Sequence, residues 1–124
     1  METDMASPNR LNNADPLLFR YAATAEESNQ PSINVVLSVQ GVLIGGQIIS
    51  AALYAAALKP GANVKDAATV FALLQQDILA ERGRYIHLQN PWVVSVAGQI
   101  PFNSGTVWRC RLDAVNGFFL GPVR

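Results

Sequence analysis

Apolar and polar residues alternate over two neighbouring stretches in the first half of the chain. Apolar residues occupy every second position over residues 33–39, with Val36 as an exception, and the pattern resumes over residues 42–48. Alternation with a period of two is typical of β-strands. The dipeptide Gln40-Gly41 separates the stretches and suits a tight turn. The sequence therefore predicts a β-hairpin here.

Strand character returns in the second half of the chain. Residues 84–89 read as a strand that Asn90-Pro91 breaks, and residues 92–96 continue it or form the far side of a bulge. Residues 97–105 contain two glycines and a proline, which predicts a loop. Two short apolar runs then meet at Asn116-Gly117, a strong signal for a hairpin turn. We therefore expect the protein to end in an antiparallel hairpin.

Helix-start signals occur at three places. Asp15 followed by Pro16 begins a first helix, because a capping carboxylate precedes proline at the first helical position. Ser50 caps a short apolar helix over residues 51–58, and Asn63 caps a longer one over residues 64–82. Apolar residues at helical spacing predict the buried stripe of the longer helix. The stripe consists of Val64, Ala67, Ala68, Phe71, Leu74 and Ile78.

A membrane-spanning helix is the alternative interpretation of residues 33–58, which contain no charged residue. Gly41 and Gly45 even have the spacing of a helix-pairing motif. Polar residues argue against this alternative, because Asn34, Gln40 and Gln47 would lie at membrane depth, where polar groups are costly. The hairpin followed by a helix is the preferred interpretation.

These elements predict an α+β fold. At 124 residues the chain has the length of one domain, which we place at residues 15–124, after a polar N-terminal tail at residues 1–14. The domain would contain a strongly bent antiparallel sheet of about five strands. One helix precedes the sheet, and two helices are inserted between strands 2 and 3.

Composition limits the classes of partner. Half of the residues are apolar, 15% are charged and the formal net charge is zero, a combination that favours association with other proteins or with copies of the chain. A neutral chain is a poor ligand for duplex DNA. A single cysteine, Cys110, excludes an intramolecular disulfide, and the N-terminus lacks the pattern of a secretory signal. These features predict a cytoplasmic protein.

Candidate catalytic chemistry is sparse. His87 is the one histidine, and a lone histidine on a strand is more often a structural hydrogen-bonding group than a catalyst. Cys110 alternates with Trp108 and Leu112, which predicts a buried thiol that acts as a small apolar group. No set of residues with metal-ligand spacing is present. The sequence therefore predicts no catalytic residues, no cofactor and no metal site.

Four residues are candidates for an interaction surface. Arg109 and Arg111 project from the strand face opposite Trp108, and Arg84 joins them from a neighbouring strand. They are either ordinary solvated charge or an arginine-lined interface. With Phe118 pointing inward, Phe119 points outward and would form a contact site if it lay beside the arginines.

Three blocks of the chain resemble the U-type gas vesicle accessory family. The blocks are a glycine-turn hairpin that enters a helix at residues 37–51, a Tyr-Ile-His-Leu-Gln-Asn strand at residues 85–90, and the run from Trp108-Arg-Cys-Arg to Val-Asn-Gly-Phe-Phe-Leu-Gly121. Cys110 stands where the family usually has glycine. The resemblance implies a non-enzymatic accessory protein that binds itself, the gas vesicle shell or both.

The order of strands is also similar to small barrels of the Sm-like and SH3-like types. In that comparison Gly45-Gly46 marks the bend of a hairpin and Asn90 the end of a strand. The alternative function implied is an RNA-binding module that uses Arg109, Asn90 and Asn116. The small number of lysines and the neutral net charge argue against RNA as a partner.

Overall fold

The computed structural model describes residues 14–58, 66–103 and 105–121, and in them the chain forms three α-helices and six strands. The predicted tail at residues 1–14, apart from Ala14, lies outside the described residues, as does the predicted cap Asn63. The elements in chain order are α1 (Pro16–Ser28), β1 (Asn34–Val39), β2 (Val42–Ile49), α2 (Ala51–Ala57), α3 (Ala67–Ala80), β3 (Tyr85–Ser95), β4 (Gly98–Pro101), β5 (Val107–Arg111), a 3-10 turn (Leu112–Ala114) and β6 (Gly117–Leu120).

All six strands form one antiparallel sheet in which β3 is the longest member. β2 pairs with one edge of β3, and β5 and β4 pair with the first and second halves of its other edge. β1 follows β2, and β6 follows β1. The β2–β3 register shifts between Gly45 and Gln47, and such a bulge bends the sheet. The predicted α+β class, the bent sheet, the N-terminal helix and the two inserted helices are confirmed.

The predicted β1–β2 hairpin is also confirmed. Gln40 and Gly41 both have positive φ, 51° and 84°, as the tightest hairpin turns require. Residues 33–58 thus form two strands and a short helix. In the described parts of the chain, no helix is both long enough and apolar enough to span a bilayer.

The predicted C-terminal hairpin is wrong. β5 pairs with β3, whereas β6 pairs with β1, so the two strands lie on opposite edges of the sheet. A 3-10 turn begins after β5 because Leu112 is fully buried and donates its backbone N–H to the carbonyl of Arg84. The Asn116 side chain does not form a turn of its own; its Oδ1 accepts a hydrogen bond from the Gln40 backbone at 2.8 Å. The sheet is therefore open, not closed into an Sm-like or SH3-like barrel.

Two predictions about β3 and its neighbour are corrected. Asn90-Pro91 does not end the strand, because Asn90 takes a left-handed conformation with φ of 51° and the strand continues with β4 as its new partner. The predicted loop at residues 97–105 contains β4. Gly98, with φ of 108°, allows the chain to reverse so that it pairs with Ser95.

Helix α1 covers one face of the sheet and α2 the other. Buried apolar residues from α1, from three strands (β1, β2 and β3) and from the 3-10 turn and its C-cap form the main core on the α1 side. α2 and α3 form a smaller cluster around Ala51, Ala55 and Ile78, and the Tyr54 ring of α2 contacts His87 on β3. The buried members of the main core are Leu18, Ala22, Ala25, Val35, Leu37, Ile48, Ile86, Leu88, Leu112 and Val115.

The predicted caps of α1 and α2 are confirmed. Asp15 Oδ1 accepts the Leu17 backbone N–H at 2.8 Å, and Ser50 Oγ accepts that of Leu53 at 3.1 Å. Ser50 Oγ also donates to Asn29 Oδ1 at 2.5 Å, while Glu26 accepts the Ala51 backbone N–H at 2.8 Å. The end of α1 is thereby tied to the start of α2.

The predicted buried stripe of α3 is confirmed only in part. Ile78 is buried and Ala67 and Phe71 are half-buried, whereas Ala68 and Leu74 are exposed. The predicted member Val64 lies outside the described residues. The helix packs on α2 and not on the sheet, so a narrow line of side chains is enough to hold it. Val70 and Leu73 are consequently also exposed.

Candidate functional site

Arg109 on β5 is held by two residues of β3. Its register partner is His87, and its Nε donates a hydrogen bond to His87 Nε2 at 3.3 Å. Its guanidinium carbon lies 3.6 Å from the centre of the Tyr85 ring, which is a cation–π contact. The side chain is half-buried. The Arg109 guanidinium is therefore positioned by one hydrogen bond and one aromatic contact within the protein.

His87 is a buried neutral histidine. It is 1% exposed, and burial, together with the charge of Arg109, lowers its pKa from 6.5 to about 4. Because Nε2 accepts from Arg109, the ring proton sits on Nδ1. Nδ1 is buried and has no hydrogen-bond partner among the described residues, and the Tyr54 ring lies 4.7 Å from the imidazole. This geometry agrees with the predicted structural role of His87.

Arg111 and Arg84 lie near Arg109 but are exposed. Arg111 pairs across the sheet with Tyr85, the residue that follows Arg84. Arg111 donates two hydrogen bonds to the Asp113 carboxylate, at 3.0 and 2.8 Å, and these lower the pKa of Asp113. The structure thus places Arg84 and Arg111 at one end of the β3–β5 pair and Arg109 at its centre, opposite His87.

Phe119 is not part of this group. It lies on β6, and β3, β2 and β1 separate β6 from β5. Its side chain points away from the main core as predicted, whereas its neighbour Phe118 packs against the core and meets Tyr21 edge-on at 6.2 Å. The four predicted interface residues therefore belong to two separate surfaces. The predicted C-terminal hairpin, in which β5 pairs with β6, would have placed Phe119 near Arg109 and Arg111.

Residues that the RNA hypothesis requires are not brought together either. Asn90 lies in the middle of β3, and Asn116 precedes β6 at the opposite edge of the sheet. Arg109 is engaged by His87 and Tyr85. A surface that binds single-stranded RNA needs its basic and stacking side chains next to one another.

A small cleft, which no pattern in the sequence predicts, lies between α1 and the turn before β3. The cleft has a volume of about 200 Å³ and is mostly apolar. Its charged lining residues are Glu26, Glu27 and Arg82, and Glu26 already accepts the Ala51 backbone N–H. Typical ligand pockets have about 300–1,000 Å³. The cleft offers no nucleophile with an activating base.

Cys110 is half-buried, not fully buried as predicted. Its Sγ donates to the Arg111 carbonyl at 3.4 Å, and burial followed by the charge of Asp113 raises the pKa of the thiol. A thiol with a raised pKa is a weak nucleophile at neutral pH. Among the described residues, histidine, cysteine and carboxylates form no group of three that could hold a metal ion.

Exposed apolar side chains are a feature that the sequence pattern did not reveal. They occur on α3, on α1, on β2 and along the β3–β4 hairpin, and also on β6, where Phe119 and Leu120 are 54% and 55% exposed. Apolar residues that recur with the period of a helix or a strand are normally predicted to be buried. Finding these exposed ones requires the strand order and the position of α3.

Comparison with protein families finds a match over most of the chain. The family model described as "Gas vesicle protein GvpU-like" matches residues 15–123. Comparison with curated proteins and with solved structures gave no match.

Proposed function

The chain belongs to the gas vesicle protein GvpU-like family, which gives it an accessory role in gas vesicles, and we propose that it acts without catalysis, through protein–protein contacts. Its partners are the gas vesicle shell and further copies of the chain. It works in the cytoplasm, where these partners are.

Exposed apolar side chains support contacts as the mechanism. Leu73 on α3 and Phe119 on β6 each leave more than half of the side chain in water. The chain also has few charged residues and no net charge, so little electrostatic repulsion opposes association. Exposed apolar groups on a sparsely charged surface are typical of proteins that bind other proteins.

The arginine group supports a polar part of the same function. Arg84 and Arg111 lie at one end of the β3–β5 pair and are exposed, and Arg109 lies at the centre of the pair. Arginine is frequent at protein interfaces because its planar group makes several hydrogen bonds and also stacks on aromatic rings. We therefore propose that this end of the sheet contributes to binding.

The chemistry of the titratable groups supports a role without catalysis. His87 is buried and its Nε2 is already bonded to Arg109. Cys110 has a raised thiol pKa. General acid–base or nucleophilic catalysis needs accessible groups whose pKa lies near the working pH.

Cosedimentation with gas vesicles tests the proposal. Purified protein is mixed with intact vesicles and with vesicles stripped of their outer accessory proteins, and its molar mass alone is measured by light scattering. We expect the protein to sediment with vesicles of at least one kind, at salt concentrations that screen non-specific charge contacts. Protein that stays in solution with both preparations contradicts shell binding.

A further inference from the structure

Strand β6 forms an edge of the sheet. Its register places residues 117–120 against residues 35–38 of β1. No strand in the described residues pairs with its other side. Unpaired backbone groups on an edge strand are a template for another strand.

The hydrogen-bond register shows which groups face outward. Gly121 donates its backbone N–H to the carbonyl of Asn34 at 2.9 Å, so this pair is a hydrogen-bonded pair of the ladder. Such pairs alternate along an antiparallel ladder, which makes Phe119 and Val36 the next one. Phe118 and Leu120 therefore direct their N–H and C=O groups away from β1.

Within the described residues, this edge lacks the charge and the proline that block association at other edges. Residues 117–121 contain neither, whereas β5 carries two arginines and β4 ends in Pro101. Phe119 and Leu120 are both more than half exposed. Natural sheet edges that stay unpaired are usually protected by charge, proline or a covering element.

We propose that β6 pairs with β6 of a second copy, antiparallel and across a two-fold axis. This rests on the self-association in the proposed function and specifies its surface. Phe118 of each copy then forms a hydrogen-bonded pair with Leu120 of the partner subunit. Phe119 then lies directly opposite Phe119 of the partner subunit.

A second copy fits the edge because the arrangement is self-complementary. The two outward-facing residues are spaced by two, so a two-fold axis through Phe119 satisfies all four of their backbone groups on each strand. Directly opposite residues of a non-hydrogen-bonded pair have Cβ atoms about 4.5–5.5 Å apart, close enough for aromatic rings to pack. An uncharged strand meets its copy without repulsion. A four-residue pairing is short, so the dimer is reversible.

Disulfide trapping tests the register. In a Cys110→Ala background, Phe119→Cys is oxidised at a protein concentration that favours the dimer, and Val96→Cys in the same background is the control. Val96 is exposed next to the β3–β4 turn, away from β6. We expect cross-linked dimer with Phe119→Cys at a rate at least tenfold above the control. Equal rates for the two variants would overturn the proposal.

Two substitutions at Leu120 test the hydrogen bonds. Leu120→Pro removes an outward N–H but no bond to β1, and Leu120→Ala shortens the side chain while keeping the N–H. Sedimentation velocity should show a dimer dissociation constant at least tenfold higher for Leu120→Pro than for Leu120→Ala. Equal dissociation constants for the two variants contradict the pairing. If Leu120→Pro does not fold, the cross-linking of the cysteine variants is the deciding test.

Vesicle binding separates this inference from the proposed function. Cross-linking of Phe119→Cys above the control, together with a wild-type protein that does not sediment with vesicles, supports β6 pairing and contradicts shell binding. A protein that binds vesicles while Phe119→Cys fails to cross-link supports shell binding and overturns β6 pairing.

Discussion

The indole ring of Trp92 lies directly over the backbone of Gly45. The two residues are paired across β2 and β3, and a Cβ atom built on Gly45 would lie 2.1 Å from Cζ2 of the ring. Trp92 is buried, so the ring has little room to move. The register shift between Gly45 and Gln47 begins at this contact. The bent part of the sheet therefore requires a residue without a side chain at position 45, because the Trp92 ring occupies that space.

Gly45→Ala should destabilise the protein strongly. Overpacking of a core usually costs about 1–3 kcal/mol, and a clash with a buried indole belongs at the upper end of that range. Gly117→Ala is the matched control, because a Cβ there meets nothing within 4 Å. Urea denaturation of both variants measures the effect. Equal midpoints for the two variants would show that the ring moves aside freely.

Ser50→Ala should lower stability by about 0.5–2 kcal/mol, because the N-cap of α2 is lost. Ser50 is buried, so Asn29 Oδ1 also loses the hydroxyl that donates to it. Thr24→Ala is the control: its hydroxyl bonds the Arg20 carbonyl on the exposed side of α1. Thermal denaturation followed by circular dichroism compares them. A larger loss for Thr24→Ala than for Ser50→Ala contradicts the assigned role.

Stability should fall as the pH is lowered from about 6.5 to about 4, because of His87. The pKa of His87 is about 4 in the folded protein, against an ordinary value of 6.5 in an unfolded chain, so the unfolded chain binds this proton first. Folding favours the neutral imidazole of His87. Its contribution to the free energy of unfolding is complete above pH 6.5 and is lost below pH 4. Over the whole interval the loss is roughly 3 kcal/mol.

Substitution of His87 isolates this effect from that of the carboxylates. The free energy of unfolding is measured by urea titration between pH 7.5 and 4.5 for the wild type and for His87→Gln. We expect a shallower pH dependence in the variant, whatever its absolute stability. Parallel curves for the two proteins would mean that His87 is protonated equally in both states.

Arg84→Glu should weaken sedimentation with gas vesicles and leave stability nearly unchanged. Arg84 is exposed, whereas Arg109 is bonded to His87 and Arg111 to Asp113, so charge reversal at Arg84 disturbs the fold least. Arg20→Glu makes the same charge change on an exposed site of α1. A loss of vesicle binding with Arg84→Glu alone supports the arginine surface. Equal binding by both variants removes Arg84 from it.

Local signals in the sequence predicted most of the elements. The caps at Asp15 and Ser50 and the turn at Gln40-Gly41 act over a few residues, so their physics is contained in the sequence around them. Partner choice for β6 is different. Asn116-Gly117 has the composition of a hairpin turn, but the free edge of β1 and the bond to Gln40 decide where the strand pairs.

The sequence predicted the candidate surfaces only in part, because alternation gives the direction of side chains along a strand but not the order of the strands. Alternation along each strand correctly placed Phe119 outward and the side chains of Arg109 and Arg111 on the face opposite Trp108. It could not reveal that Arg109 lies over the Tyr85 ring, or that Phe119 and Arg109 lie on opposite edges. Those facts depend on strand order, which requires contacts between residues far apart in the chain.

The pairing of β6 with β1 also makes the sheet depend on a contact between two distant parts of the chain. β1 gains its outer neighbour only when residues 117–120 lie beside it. Bringing the two strands together closes a loop that contains the other four strands, and the entropy cost of closing that loop opposes the step. Until β6 has docked, the apolar β1 strand is an exposed edge, and the chain is then most prone to pair with a wrong strand.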